Sequence, residues 1–208
     1  LINKSVAILD YGSGNTMSVF NLIEYLKIPC KISCEENDIK NSSHLILPGV
    51  GSFASSMDKI KKKLPIEILE KEVLINKKLF LGICVGMQVL ADYGYEFKKY
   101  SGLGWVKGSV EKLNTITMPL PHIGWNNIKM NKKIKFFDKL ENINDFYFVH
   151  SYVFKPQNKD NIISITNYDN IEFCSSLNQE NIFGVQFHPE KSQKAGQQLI
   201  KNFLSLNL

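Results

Sequence analysis

The stretch Leu79-Phe80-Leu81-Gly82-Ile83-Cys84-Val85-Gly86-Met87-Gln88 decides how the rest of the chain is read. Leu79 to Ile83 is a short apolar run, the pattern of a strand buried on both faces. Met87 to Tyr93 then continues as a predicted helix. Between the two, Gly82-x-Cys84-x-Gly86 has the spacing of a nucleophile elbow, where two glycines relieve crowding at a sharp strand-to-helix turn. Such a turn exposes the central side chain above the sheet edge. It also sets that side chain at a helix N-terminus, whose partial positive charge favours a thiolate. A free thiol with a pKa of roughly 8.5 is only a few per cent ionised at neutral pH, so such a lowering matters. The pentapeptide alone also fits a buried cysteine among glycines that merely allow close packing. Chemistry at Cys84 requires a base.

Phe187-His188-Pro189-Glu190 offers one. A residue before proline is pushed into an extended conformation, and in an extended segment side chains two apart project to the same side. His188 and Glu190 can therefore approach each other, the carboxylate orienting and charging the imidazole, as in a catalytic triad. Alone this would read as a histidine in a strand-end turn. Paired with the elbow at the ends of neighbouring strands, it reads as a base for Cys84.

The surrounding pattern supplies those strands. Val6 to Leu9 is a buried strand, and Met17, Phe20, Ile23 and Leu26 recur on one face of a helix from Asn15 to Leu26. Leu45 to Leu47 is a second strand, ending at Pro48-Gly49-Val50-Gly51. A helix starts at Ser52, is interrupted at Pro65, and a second runs to about Ile75. Strands alternating with helices predict an α/β fold, with a mainly parallel central sheet covered by helices on both faces. After about residue 100 the pattern becomes a succession of short strands joined by polar, Asn-rich turns: Gly104–Leu113, His122–Lys129, Phe146–Phe154, Ile162–Asn167, Glu172–Leu177 and Ile182–Gln186. Antiparallel strands are therefore expected in the second half. A final helix spans Gln193 to Leu204, and residues 1–208 are expected to form a single domain.

Composition removes several function classes. The chain has 208 residues, 44% hydrophobic and 22% charged, which excludes disorder as its main theme. All 25 basic residues are Lys, set against 20 acids, giving a net charge of +5. Without arginine there is no bidentate fork for phosphate. The densest basic run, Lys61-Lys62-Lys63, is soon followed by Glu67, Glu70 and Glu72, so it reads as a solvated helix face and not a nucleic-acid stripe. No stretch has the roughly 18 to 20 apolar residues that span a bilayer. The first residues, Leu1-Ile2-Asn3-Lys4, carry no signal-peptide pattern and no initiator Met, so a cytoplasmic protein missing a residue or more is expected. Cys30, Cys34, Cys84 and Cys174 have neither zinc-site nor disulfide-framework spacing, so no metal, cofactor or disulfide is expected. His122 and His150 are assigned to structure, and His44 to a strand start.

At this point the chain resembles the class I, or triad, glutamine amidotransferases. Besides the elbow and His188-Pro189-Glu190, the resemblance is carried by Asp10-Tyr11-Gly12-Ser13-Gly14-Asn15, Pro48-Gly49-Val50-Gly51-Ser52-Phe53, Pro121-His122-Ile123-Gly124-Trp125-Asn126 and Phe148-Val149-His150-Ser151-Tyr152. These segments run in family order over nearly the whole chain, and the last three point to the branch that serves histidine biosynthesis. Val85 stands where Leu is commoner, a conservative change because the backbone N–H is the working group. The resemblance implies the class I glutamine amidotransferase fold and a glutaminase with Cys84 as nucleophile, His188 as acid–base and Glu190 as its orienter. It implies oxyanion donors from the backbone N–H groups of Val50 and Val85, with the Val50 donor presented only in the active state. It places Gly51, Gln88, Ser151 and Tyr152 around bound glutamine. It places Asn15, Trp125, Tyr147 and Lys191 at the interface with a (β/α)8-barrel synthase subunit, in a heterodimer, with no nucleic acid or membrane partner.

Two other readings remain open on the sequence. One is a paralogous glutaminase that feeds ammonia to a sugar-modifying amidotransferase. The other is a catalytically idle scaffold subunit, against which the intact Cys84, His188 and Glu190 argue.

Overall fold

A computed structural model describes residues 4–207. The reading of Leu1-Ile2-Asn3 as free of a signal pattern lies outside the described residues. The chain runs β1 (Val6–Leu9), α1 (Thr16–Tyr25), β2 (Cys30–Ser33), α2 (Glu36–Asn41), β3 (His44–Gly49), α3 (Phe53–Lys63), α4 (Ile66–Glu70), a π turn (Lys71–Ile75), β4 (Leu79–Cys84) and α5 (Val85–Gln88). It continues through β5 (Tyr93–Gly94), β6 (Tyr100–Ser101), β7 (Gly108–Lys112), β8 (His122–Asn127), β9 (Lys129–Met130), β10 (Asp145–His150) and β11 (Tyr152–Pro156). Then come β12 (Ile162–Tyr168), β13 (Ile171–Gln179), β14 (Ile182–Val185) and α6 (Gln193–Ser205).

Eight strands form one sheet in the order β2-β1-β3-β4-β14-β13-β12-β9. The pairs from β2 through β14 are parallel. The pairs from β14 through β9 are antiparallel. β1, β3, β4 and β14 are buried along their whole length, as expected for strands covered on both faces. The order reverses between β1 and β3. Right-handed crossovers then put α1 on one face and α2, α3 and α4 on the other. The contacts agree: α2 packs on α4, while α1 and α6 both pack against the turn Pro189–Lys191. On α6, Ala195, Leu199, Ile200, Phe203 and Leu204 face the core. A second sheet, β11-β7-β5-β6, and the ribbon β10-β8 complete the fold.

Several details depart from the sequence expectation: β5 and β6 were not expected, and the strand expected over His122–Lys129 splits into β8 and β9, which join different sheets. β2 and α2 were not anticipated, because Cys30-Lys31-Ile32-Ser33 is a short, half-exposed edge strand and α2 buries only Ile39. The helix expected over Met87 to Tyr93 is instead the single turn Val85–Gln88. Its continuation is cut off because the Val89, Leu90 and Ala91 carbonyls accept from the N–H groups of Leu103, Val106 and Gly104, at 2.8, 3.0 and 3.0 Å. The segment Phe146–Phe154 is two strands, not one. β10 pairs with β8 and β11 with β7, so the chain changes sheet at Ser151. The strand expected over Gly104–Leu113 shortens to β7, and buried Trp105 belongs to the loop that stops α5.

Candidate active site

The elbow is built by close approach of backbone to backbone. A Cβ on Gly86 would sit 1.9 Å from the Leu47 carbonyl oxygen, and one on Gly82 would sit 2.4 Å from the Gly86 oxygen. Only glycine fits at either position. Cys84 between them has φ 54° and ψ −111°, a left-handed strained conformation of the kind stored at functional sites. In β4 it is the last residue, paired in register with Gly49 of β3. On the other side, β14 aligns Val185 with Ile83, so the residues after β14 pass directly beside Cys84.

Those residues are Gln186, Phe187 and His188. The His188 N–H donates to the Tyr147 carbonyl at 2.9 Å, and the Ser192 hydroxyl donates to the His188 carbonyl at 2.6 Å. The imidazole is thus held at its backbone. At its ring, Nδ1 lies 2.9 Å from Glu190 Oε1, with both side chains 1% exposed. Among the described residues Nε2 has no hydrogen-bond partner, and His188 lines the same cavity as Cys84. Burial resists charging of His188, but the Cys84 sulfur and then the Glu190 carboxylate outweigh it and raise it to about 10. The structure therefore pairs His188 with Glu190 and sets His188 and Cys84 on the wall of one cavity. The helix dipole invoked for Cys84 is reduced to the free N–H groups of one turn, since α5 has only four residues.

The cavity at this point has a volume of about 220 Å³ and is lined by Val50, Gly51, Cys84, Val85, Gln88, Glu96, Val149, His150, Ser151, Tyr152 and His188. All six positions assigned to the oxyanion and to glutamine, Val50, Val85, Gly51, Gln88, Ser151 and Tyr152, lie on its wall. The Val50 carbonyl accepts from Ser13 Oγ at 2.8 Å, and Gly51 has φ +102°. Sequence reasoning missed Glu96, which follows β5 in a loop with no periodic signal. It is positioned by the Phe53 N–H, which donates to its carboxylate at 2.7 Å, and by the Tyr152 hydroxyl, which donates to its carbonyl at 2.9 Å.

Behind the cavity wall runs a buried polar chain. The Tyr152 carbonyl accepts from Gln88 Nε2 at 2.9 Å and lies 3.1 Å from His150 Nδ1. His150 Nε2 is 3.1 Å from His122 Nδ1, and His122 Nε2 is 3.3 Å from Asn126 Nδ2. Burial lowers His122 to about 4 and, with His122 beside it, His150 to about 3, so both rings are neutral at pH 7. Since a carbonyl only accepts, His150 carries its proton on Nδ1 and His122 likewise on Nδ1. The expected structural role of both histidines is consistent with this arrangement. His44 is buried at the start of β3, as anticipated.

On the outer surface, Trp125 of β8 pairs in register with Tyr147 of β10, their rings edge to face at 6.2 Å. Lys191 Nζ sits 5.6 Å from the Tyr147 ring centre, within cation–π reach. Trp125 is 49% exposed, so it is not a core tryptophan. Asn15 precedes α1, the helix that packs on the turn carrying Lys191. The four interface candidates therefore lie around the same end of the fold. Among the described residues there is no cluster of metal-ligating side chains, and no helix is long and apolar enough to cross a membrane.

The glutamine amidotransferase class-I family profile matches residues 7–206. The chain belongs to this family. Its relatives include the imidazole glycerol phosphate synthase subunit HisH of Pelagibacter ubique, 44% identical over 97% of this chain and 100% of that protein. The subunit of the same name from Pyrococcus furiosus is 43% identical over 97% of this chain and 98% of its own length. Within the family, then, the chain falls among the HisH subunits. Solved structures agree on the fold alone: PurLQS from Thermotoga maritima superposes with a TM-score of 0.74 at 15% identity, covering 98% of each chain. A glutamine amidotransferase crystal structure gives 0.71 at 17% identity, covering 96% of each.

Proposed function

We propose that this chain is the glutaminase subunit of an imidazole glycerol phosphate synthase. It hydrolyses glutamine and passes the ammonia to a (β/α)8-barrel cyclase subunit, which makes imidazole glycerol phosphate and AICAR in histidine biosynthesis. The observation that carries the chemistry is the Cys84–His188–Glu190 arrangement at the head of a ligand-sized cavity. The observation that carries the pathway is the full-length likeness to the HisH subunits.

In this reading Cys84 Sγ, having given its proton to His188 Nε2, attacks the side-chain carboxamide carbon of glutamine. The tetrahedral oxyanion is held by backbone N–H groups of Val85 and Val50, each donor contributing roughly 2.7–4 kcal/mol to the transition state. His188 then protonates the leaving nitrogen, and ammonia departs from a glutamyl thioester. Water attacks the thioester as His188 takes its proton, and glutamate leaves with the Cys84 sulfur regenerated. Glu190 holds the imidazole in the required orientation throughout. Gly51, Gln88, Ser151 and Tyr152 contact the substrate, and Glu96, the one acidic residue among those lining the cavity, faces its α-ammonium group. The Ser13 hydroxyl on the Val50 carbonyl anchors the Val50–Gly51 peptide, and Gly49 leaves the preceding peptide, which carries the Val50 N–H, able to turn.

Ammonia released into water would be protonated and lost as a nucleophile, so the glutaminase must dock over a channel in its partner. Asn15, Trp125, Tyr147 and Lys191 form that docking face. Four thiols with no disulfide between them fit a reducing cytoplasm. One test is to measure glutamine hydrolysis by the purified chain alone, then with a cyclase subunit and its nucleotide ligand. Low activity alone and strong stimulation by the pair is the expected result. A fully active lone chain would contradict the conditional oxyanion strand, and stimulation only by a sugar-modifying partner would move the enzyme to the paralogous pathway.

A further inference from the structure

The orientation of two buried carboxamides gives Cys84 a hydrogen-bond donor that the triad does not include. Gln88 is 5% exposed and Gln186 is fully buried. Gln88 has one end 2.9 Å from the Tyr152 carbonyl, which can only accept, so that end is its NH2 group. The same nitrogen lies 3.0 Å from Gln186, so the end of Gln186 that faces it is Oε1. Gln186 must then turn its own NH2 group the other way. That nitrogen is 3.7 Å from Cys84 Sγ. Neither glutamine can flip alone, because a flip would set oxygen against oxygen or nitrogen against nitrogen. The Tyr152 carbonyl that starts the sequence is itself pinned by His150.

We infer that Gln186 is a further catalytic residue: its Nε2–H donates to the sulfur of Cys84 and stabilises the thiolate formed when the proton passes to His188. The inference rests on Cys84 being the nucleophile. Gln88 is the positioning residue that fixes the polarity of the Gln186 carboxamide. With both of its N–H groups engaged, Gln88 keeps Oε1 for the cavity. A hydrogen bond to a charged form favours that form, and a buried site with few competing donors makes the effect felt.

The test is the pH dependence of iodoacetamide labelling at Cys84, followed by mass spectrometry of the Cys84 peptide in the full chain, since Cys30 and Cys34 also react. Gln186→Met keeps the volume and removes the donor. It should move the labelling midpoint up by about one pH unit and lower kcat roughly tenfold with little change in KM. Gln186→Glu sets a carboxylate against the sulfur and should shift the midpoint further. Should the Gln186 variants fail to fold, Gln88→Met frees the Gln186 carboxamide to rotate and should shift the midpoint in the same direction by less. A midpoint unchanged in folded Gln186→Met, or in Gln88→Met where that is the variant used, would overturn the inference while leaving Cys84 as nucleophile. Failure of Cys84→Ala to abolish hydrolysis would instead remove the reading beneath it.

Discussion

The backbone N–H of His188 donates to the carbonyl of Tyr147, at 2.9 Å. Tyr147 lies on β10, whose neighbour β8 carries Trp125, and Lys191 of the His188 turn reaches back over the Tyr147 ring. The Tyr147 N–H in turn donates to Ser192 Oγ, which donates to the His188 carbonyl. The proposed base and the proposed docking face thus share one hydrogen-bonded frame.

Cys84→Ala should abolish glutamine hydrolysis and leave the fold and partner binding intact, because the alanine Cβ keeps the elbow and removes only the sulfur. Ammonia release and a partner-binding titration on the same preparation check both halves. Residual hydrolysis at the wild-type level would end the thiol mechanism.

Glu190→Gln preserves volume but removes the charge that orients and supports His188. The expected loss in kcat is roughly 10²- to 10⁴-fold, with KM for glutamine nearly unchanged. Steady-state kinetics of the complex decide it, and a loss confined to KM would assign Glu190 to substrate binding instead.

Gly86→Ala forces a methyl group against the Leu47 carbonyl oxygen, at 1.9 Å without relaxation. The overpacking should destabilise the chain by roughly 1–3 kcal/mol, read from the urea midpoint. An unchanged midpoint would mean that the β3–α5 approach is looser than described.

Trp125→Ala should weaken binding of the barrel partner by roughly 30-fold, about 2 kcal/mol, as for an exposed aromatic anchor that becomes buried. Calorimetric titration with the cyclase subunit measures it. Hydrolysis stimulated at saturating partner should change far less than the affinity.

Acid should destabilise the fold through three histidines. Burial lowers His44 and His122 to about 4 and His150 to about 3. In the unfolded chain they titrate near ~6.5, so their contribution is complete above that pH and is lost as the pH falls toward 4. His188, raised to about 10, acts in the opposite sense: its contribution is complete below ~6.5 and is lost as the pH rises toward 10. The histidine-linked part of a Tm-against-pH profile should therefore peak near about 6.5. His122→Phe should flatten the acid limb, and an acid limb of unchanged slope would show that His122 is protonated in the folded state.

Much of the site was legible because its chemistry is written in local backbone demands. Gly82 and Gly86 on either side of Cys84 announce an approach too close for a Cβ at their own positions, and His188-Pro189 announces an extended residue two before Glu190. Glu96 and Gln186 were not legible in the same way. Glu96 follows a two-residue strand with no periodicity. Gln186 stands in an apolar run whose pattern says buried strand and nothing about what its amide faces. Phe146 to Phe154 looked continuous because β10 and β11 are both rich in apolar residues and only Ser151 separates them, a gap too short to read as a turn.

The sequence by itself determined the alternation of strand and helix, the elbow at Cys84 and the His188–Glu190 pair, since each depends on residues within a few positions of one another. Only the tertiary structure decided that β14 lies beside β4 in the register Val185 to Ile83, setting Gln186 and His188 next to Cys84. It also decided that β11 brings the Tyr152 carbonyl to Gln88, which aims an N–H of Gln186 at the sulfur. The reason is physical. A buried strand shows the same apolar face to any neighbour, so its partner is chosen by long-range pairing and packing. The direction of a carboxamide is chosen by the atoms that pairing puts around it.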